Sequence, residues 1–435
     1  MQLEKVLKKM QESNYKNRIA DKILAEQLEA SGVVLVQGPK WCGKTTTAVQ
    51  QAKSVVYMDD PRSVKSNLYF ADTNPNVILD GDTPRLIDEW QLAPKLWDAA
   101  RFEVSHRGLP GQLIFTGSAV PPNMSEIYHS GAGRFARVVM RPMTLWESGD
   151  SNGGISLKSL FNGEDLAVLS PDHPLDEIAY LTCRGGWPGT LLLSRKAALR
   201  QAANYVDIIV NYDVSRADGS NKDAEFASRL LRAYARHQGG QVPISTFYTD
   251  LETNKLASMS EDTIASYINA FKKIFTIEDM PAWNPNLRSK TAIRTSDTRY
   301  FVDPSIAAAA LGLGPNDLLN DLETMGLLFE TLAVRDLRVY AEAMDGKVYH
   351  YRDKNGLECD AVIHLRNGKY GLVEIKLGGD THIEEGAANL KKLRGKIDTE
   401  KMQEPSFMAV VTAVGKYAFR RADGVYVVPI GSLKD

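Results

Sequence analysis

The sequence predicts an α/β protein: a parallel-sheet domain first, then a helical region, then a second α/β domain. Three observations predict it. Short apolar runs alternate with helix-length segments through the first part of the chain, at Val33-Val34-Leu35-Val36, Val55-Val56-Tyr57-Met58, Leu86-Ile87 and Leu113-Ile114-Phe115. The first of these runs into Gly38-Pro39-Lys40-Trp41-Cys42-Gly43-Lys44-Thr45 and then into a helix start at Thr45-Thr46-Thr47-Ala48. Near the C-terminus, two alternating runs meet at Arg366-Asn367-Gly368-Lys369, which reads as a hairpin.

The Gly-rich stretch reads G-x-x-x-x-G-K-T between a strand and a helix, the context a phosphate-binding loop needs. Loop amides and the helix N-terminus would point donors at phosphate oxygens. Gly38, Pro39, Lys40, Trp41, Cys42, Gly43, Lys44, Thr45 and Thr46 are the candidate nucleotide contacts. Lys44 would reach the β- and γ-phosphates, and the Thr45 hydroxyl would ligate Mg²⁺. ATP and Mg²⁺ are therefore the expected cofactors.

At 435 residues the chain exceeds one ordinary core, so two or three domains are expected. The formal charge of −2 excludes a global basic signature, so DNA contact would need a local patch. The three cysteines, Cys42, Cys183 and Cys359, are widely spaced, which argues for a reducing compartment and against structural zinc. The start has mixed charge, and no apolar run approaches the ~18 residues of a membrane span. A cytoplasmic protein without a membrane partner is the expectation.

In chain order, residues 1–31 read as helical, with Leu3, Val6, Leu7 and Met10 and then Ile19, Ile23 and Leu24 on one face. Its basic residues read as a solvated face, with a nucleic-acid contact as the alternative. Asp59 and Asp60 close the second strand and either touch the nucleotide side or cap the following turn, the cap being the leading reading. Arg85-Leu86-Ile87-Asp88-Glu89 is a strand ending in two acids. Asp88 would hold Mg²⁺ through its shell, and Glu89 would deprotonate the attacking water. Thr116 and Ser118 follow the next strand, where they would either sense the γ-phosphate or form a simple turn. Arg134 follows Gly131-Ala132-Gly133. It would either contact a γ-phosphate, in cis or from a neighbouring subunit, or form a surface ion pair.

These pieces resemble the AAA+-type P-loop ATPases of bacteria and archaea that carry an appended C-terminal domain of unknown function. The resemblance rests on Gly38 to Thr45, Ile87-Asp88-Glu89-Trp90-Gln91, Phe115-Thr116-Gly117-Ser118, Gly131-Ala132-Gly133-Arg134, and Arg141-Pro142-Met143 leading to Trp146-Glu147. It implies a P-loop NTPase (AAA+) parallel sheet over residues 1–150. One departure is Ser118, which stands where many AAA+ proteins have an asparagine sensor.

Residues 151–220 are expected as a helical connector, with Gly185-Gly186-Trp187-Pro188-Gly189 as a structural turn. Residues 221–305 read as a winged helix. Its third helix is capped by Ser260-Glu261-Asp262-Thr263, and Phe275-Thr276-Ile277 pairs with Arg299-Tyr300-Phe301-Val302 as the wing. That third helix would either read DNA or pack on protein. Residues 320–435 hold Asp360, Glu374 and Lys376, which resemble the D…E-x-K signature of the restriction-endonuclease-like fold. The resemblance implies two carboxylates on Mg²⁺ and a lysine that positions water at a phosphodiester, with Glu330 as a helix-borne acid. The alternative is an exposed hairpin with a salt bridge.

The leading expectation is an ATP-binding, ATP-hydrolysing enzyme whose nucleotide state controls the C-terminal domains. The alternatives are an Mg²⁺-dependent DNA nuclease gated by ATP and an ATP-switched DNA-binding regulator. ATP is the expected small-molecule partner, DNA the candidate macromolecular one, and a homo-oligomer the candidate assembly.

Overall fold

The computed structural model describes residues 15–119, 127–165, 167–217, 219–252, 260–284, 296–400 and 402–435. Leu3, Val6, Leu7 and Met10 of the expected first helix lie outside them. The chain divides into two compact units, residues 1–140 and 141–435.

The first unit is a five-stranded parallel sheet in the order β2-β3-β4-β1-β5. Its strands are β1 (Val33–Gln37), β2 (Ser54–Tyr57), β3 (Arg85–Asp88), β4 (Leu113–Gly117) and β5 (Phe135–Val139). The helices are α1 (Ile19–Ala30), α2 (Lys44–Gln51), α3 (Val64–Thr73), α4 (Asn76–Leu79) and α5 (Leu96–Arg107). β1 and β4 carry unbroken apolar runs because a parallel sheet is covered on both faces. One core joins Val33, Leu35, Ile87, Leu113 and Phe115 of the strands to Leu96, Trp97, Ala100 and Val104 of α5. Asp21 caps the start of α1 by accepting from the Arg18 amide at 2.7 Å. The Asp60 carboxylate accepts the Arg62 amide at 2.9 Å, the turn role expected of it.

The second unit carries helices α6 (Leu175–Arg184), α7 (Arg195–Ile208), α8 (Ala224–Arg236), α9 (Ile244–Glu252), α10 (Glu261–Lys273), α11 (Pro304–Leu311), α12 (Pro315–Asn320), α13 (Leu322–Glu342) and α14 (Asp380–Arg394). α10 is capped by Ser260, which accepts from the Thr263 amide at 3.2 Å. After α10 the chain forms a short antiparallel ribbon: the Glu278 amide donates to Tyr300 at 2.9 Å, and Met280 and Thr298 exchange bonds of 2.8 and 2.9 Å. The strands of this unit are β6 (Ile155–Ser156), β7 (Ala167–Leu169), β8 (Gly346–Arg352), β9 (Glu358–Leu365), β10 (Tyr370–Lys376), β11 (Phe407–Thr412), β12 (Tyr417–Arg420), β13 (Tyr426–Pro429) and β14 (Leu433–Lys434).

A seven-stranded mixed sheet runs β7-β12-β13-β11-β10-β9-β8, parallel between β10 and β11 and between β11 and β13. The β9–β10 hairpin turns where expected: the Leu365 amide donates to Lys369 at 2.9 Å and Gly368 to Leu365 at 3.0 Å. α14 packs on β10 and β11, and α13 on β8 and β9. The expected helical connector at 151–220 needs correction. Its first part supplies β6, which pairs with β14, and β7, which joins the edge of the seven-stranded sheet. Ala167-Val168-Leu169 is too short to show a period. Its extended state comes from pairing with residues about 250 positions away in sequence.

Candidate nucleotide site and a second acidic cluster

All five strands of the first sheet point the same way, so their C-terminal ends share one edge. The register sets Gln37 of β1 beside Gly117 of β4, and Ile87 of β3 beside Phe115. The loop after β1, the acids ending β3 and the residues ending β4 therefore converge.

The loop turns on two glycines. A Cβ at Gly38 would lie 2.0 Å from the Met140 carbonyl oxygen, so only hydrogen fits there. Gly43 caps α2 at φ 100°, in the left-handed region. Trp41 shares that region at φ 69° and is exposed, as are Lys40 and Thr46. Cys42 is buried, its thiol 3.4 Å from the Met140 carbonyl. The buried Lys44 ammonium donates to the Pro39 carbonyl at 2.7 Å, curled over the loop it would share with phosphate.

Thr45 Oγ1 donates to Asp88 Oδ1 at 2.7 Å, and Thr116 Oγ1 donates to the same oxygen. Burial pushes the Asp88 carboxyl above its ordinary range, and the two hydroxyl bonds oppose that shift. Glu89 follows at φ 55°, a left-handed turn at the strand end. Its Oε2 accepts from Ser118 Oγ at 3.1 Å and from Gln91 Nε2.

Thr45 and Asp88 suit Mg²⁺: two oxygen donors lie within hydrogen-bond reach of each other. Among the described residues no three His, Cys, Asp or Glu side chains form a cation cage. Mg²⁺ in such a site takes its remaining ligands from phosphate and water.

Arg134 is not brought to this edge. It precedes β5, and its carbonyl accepts from the Val33 amide at 3.0 Å. Val33 opens β1 while the loop follows Gln37, so Arg134 lies at the opposite end of the sheet, about 13 Å away along the strand. Its Nε donates to Ser105 Oγ at 3.1 Å, and the side chain is exposed.

Sequence reasoning missed two residues that brace the loop and the helix it opens. Arg18 Nη1 donates to the Cys42 carbonyl at 2.7 Å. The Tyr15 hydroxyl meets Thr47 Oγ1 at 2.9 Å and donates to Asp21 at 2.6 Å. Both precede β1, and nothing in local composition marks them.

The second unit brings Glu330, Asp360, Glu374 and Lys376 together. Lys376 Nζ lies 2.7 Å from Glu374 Oε2 and 3.3 Å from Asp360 Oδ2. Asp360 also accepts the Ile375 amide at 2.7 Å, and Asn389 Nδ2 donates to Glu374 at 3.0 Å. Glu330 accepts from the Tyr300 hydroxyl. Burial, with the nearby Asp360 charge, pushes Glu330 up to about 8 and Glu374 up to about 7. Burial alone would lower the Lys376 ammonium, but the Asp360 and Glu374 carboxylates hold it above its usual range.

A parallel sheet with a Gly-rich loop opening α2, a Thr–Asp pair and an adjacent glutamate defines a P-loop nucleotide-binding domain of the AAA type. Residues 30–148 match the family described as an AAA domain. Residues 175–317 and 325–433 match two families described as domains of unknown function, DUF8612 and DUF4143. No curated protein matches the chain. Among solved structures, the chain is similar to a Walker-type ATPase of Pyrococcus abyssi at 14% identity and a TM-score of 0.43, over 68% of this chain and 96% of that one. It is similar to the Aeropyrum pernix ORC1 protein in complex with DNA at 13% and 0.28, over 71% and 93%. It is also similar to a Thermotoga maritima RuvB at 16% and 0.28, over 60% and 88%. These scores are low, and the class assignment stands on the sheet, the loop and the AAA match. No helix among the described residues is long and apolar enough to cross a membrane.

Proposed function

We propose that the chain binds ATP at the first unit and hydrolyses it, and that its nucleotide state controls the C-terminal domains. The observation that carries this reading is the Thr45–Asp88 hydrogen bond at the loop, with Glu89 next in sequence. The loop amides and Lys44 would hold the β- and γ-phosphates. Thr45 and Asp88 would hold Mg²⁺, which when bound neutralises charge developing on the phosphate oxygens. Glu89 would take a proton from water as the water oxygen attacks the γ-phosphorus and ADP leaves. Arg134 suits this scheme only as a contribution to a neighbouring subunit, given its place at the far end of the sheet. Release of phosphate from ATP tests the reading. Lys44→Ala should abolish nucleotide binding by calorimetry. Glu89→Gln should keep binding while lowering turnover by roughly 10²–10⁴. Wild-type turnover in Glu89→Gln would sink the assignment.

A second reading is favoured by the convergence of Asp360, Glu374 and Lys376 on one hairpin. In it, residues 320–435 form a restriction-endonuclease-like domain and cut DNA with Mg²⁺, gated by ATP. Asp360 and Glu374 offer oxygen ligands that fit a hard cation, and Lys376 bridges the two carboxylates. The winged-helix reading of 221–305 rests on α8, α9, α10 and the ribbon. As a DNA reader it is disfavoured by charge: α10 opens with Glu261 and Asp262, and Lys272 is tied to Asp279 at 2.7 Å.

A further inference from the structure

Gln91 is part of the Asp88-Glu89-Trp90-Gln91 stretch, yet nothing in the reaction above uses it. It lies in a short turn, Trp90–Leu92, directly after Glu89. Trp90 anchors that turn: it is buried, stacked on Phe115 of β4 at 5.6 Å and tilted against Trp97 at 5.2 Å. The turn therefore has little freedom, and the Gln91 side chain folds back toward the strand ends.

There it does two unequal things. Its amide nitrogen donates to Glu89 Oε2. Its amide oxygen is buried and accepts no hydrogen bond among the described residues. A buried acceptor left unmade costs about 1–3 kcal/mol. A leucine or methionine would fill the same room without that cost. The strand makes space for the amide: a Cβ at Gly117 would lie 2.8 Å from Gln91 Oε1.

The second donor on Glu89 is Ser118 Oγ, and it goes to the same carboxylate oxygen, Oε2. Both bonds therefore hold one oxygen. Glu89 Oε1 accepts no hydrogen bond among the described residues, so it is the oxygen left for a water proton. A carboxylate on a flexible side chain would otherwise sample many orientations. A misplacement of about 1 Å at a reacting group can cost ~10²-fold in rate.

We infer that Gln91 and Ser118 are positioning residues that clamp Glu89 Oε2 and leave Oε1 as the base for hydrolysis of a nucleoside triphosphate. The inference rests on the proposed ATPase reading and deepens it. It also gives Ser118 a partner in the protein, in place of sensing the γ-phosphate.

The test is steady-state ATP hydrolysis by the full chain with Mg²⁺, alongside calorimetry with a non-hydrolysable ATP analogue and thermal unfolding. Gln91→Met keeps the length and removes the donor. Its kcat should fall roughly 10- to 100-fold while KM and analogue affinity stay within about twofold. Ser118→Ala should behave alike, and Ser118→Thr, which keeps the hydroxyl, should restore most of the rate. Because the clamp acts through Glu89, adding Gln91→Met to Glu89→Gln should cost almost nothing further. Glu89→Gln turning over normally would overturn the ATPase reading and the clamp together. Glu89→Gln inactive beside wild-type kcat in Gln91→Met would overturn the clamp alone. A Gln91→Met defect that appears in analogue affinity or melting temperature, or that adds to Glu89→Gln, would make the role structural and overturn it as well.

Discussion

Arg335 on α13 is a buried charge held between two carboxylates. Its side chain is 1% exposed, between Asp303 and Asp336, both 0% exposed. Nη1 donates to Asp303 at 2.8 Å, and Nε and Nη2 donate to Asp336 at 2.8 and 2.7 Å. The acids hold backbone in turn. Asp303 accepts the amides of Gly186 at 2.9 Å and Ser305 at 3.0 Å, and Asp336 accepts the Leu145 amide at 2.9 Å. Arg335→Met would keep the volume and strand two carboxylates without a cation. Breaking a buried pair this way costs about 3–5 kcal/mol. At roughly 2–4 °C per kcal/mol for a domain of this size, melting should drop by about 10 °C. Differential scanning calorimetry of the full chain reads it. Arg335→Met/Asp336→Asn should recover part of the loss, because one stranded charge is removed. A shift of less than about 2 °C in the single variant, or no recovery in the double, would refute the reasoning.

Three further outcomes are expected. Burial, with the nearby Asp360 charge, raises the folded Glu330 and Glu374 carboxyls from the ordinary 4.5 to about 8 and about 7, so folding takes up protons. Their stabilising contribution is full below pH 4.5 and is lost as pH rises through 7 to 8. In chelator-containing buffer, melting temperature should fall across that window and Glu330→Gln should flatten the slope; a profile that rises with pH would contradict this. Gly38→Ala forces a methyl against the Met140 carbonyl, so it should weaken ATP affinity at least tenfold by calorimetry, the equivalent of about 1.4 kcal/mol; unchanged affinity would argue against a rigid loop. Asp360→Ala should leave ATP hydrolysis intact and remove any Mg²⁺-dependent DNA cutting; loss of hydrolysis in that variant would refute the independence of the two sites.

Local chemistry was enough for much of this protein. Gly38 to Thr45 specify their own turn, because glycine placement and the helix start act over a few residues. The apolar runs of β1 and β4 and the β9–β10 hairpin are legible for the same reason: period and turn residues are short-range properties. Glu374 and Lys376 share a face by strand alternation alone, so the sequence could pair them. Only the tertiary structure could decide the rest. The parallel register carries Arg134 to the edge opposite the phosphate loop, because it precedes β5 whereas the loop follows β1. β7 is extended because β12 pairs with it, against weak local preference. Arg18 and Tyr15 look ordinary in sequence and gain their roles from partners reached by folding. The reason is physical. Turn and strand propensities act locally, whereas the burial of Arg335 and the Ser118 bond to Glu89 depend on contacts between residues distant in the chain.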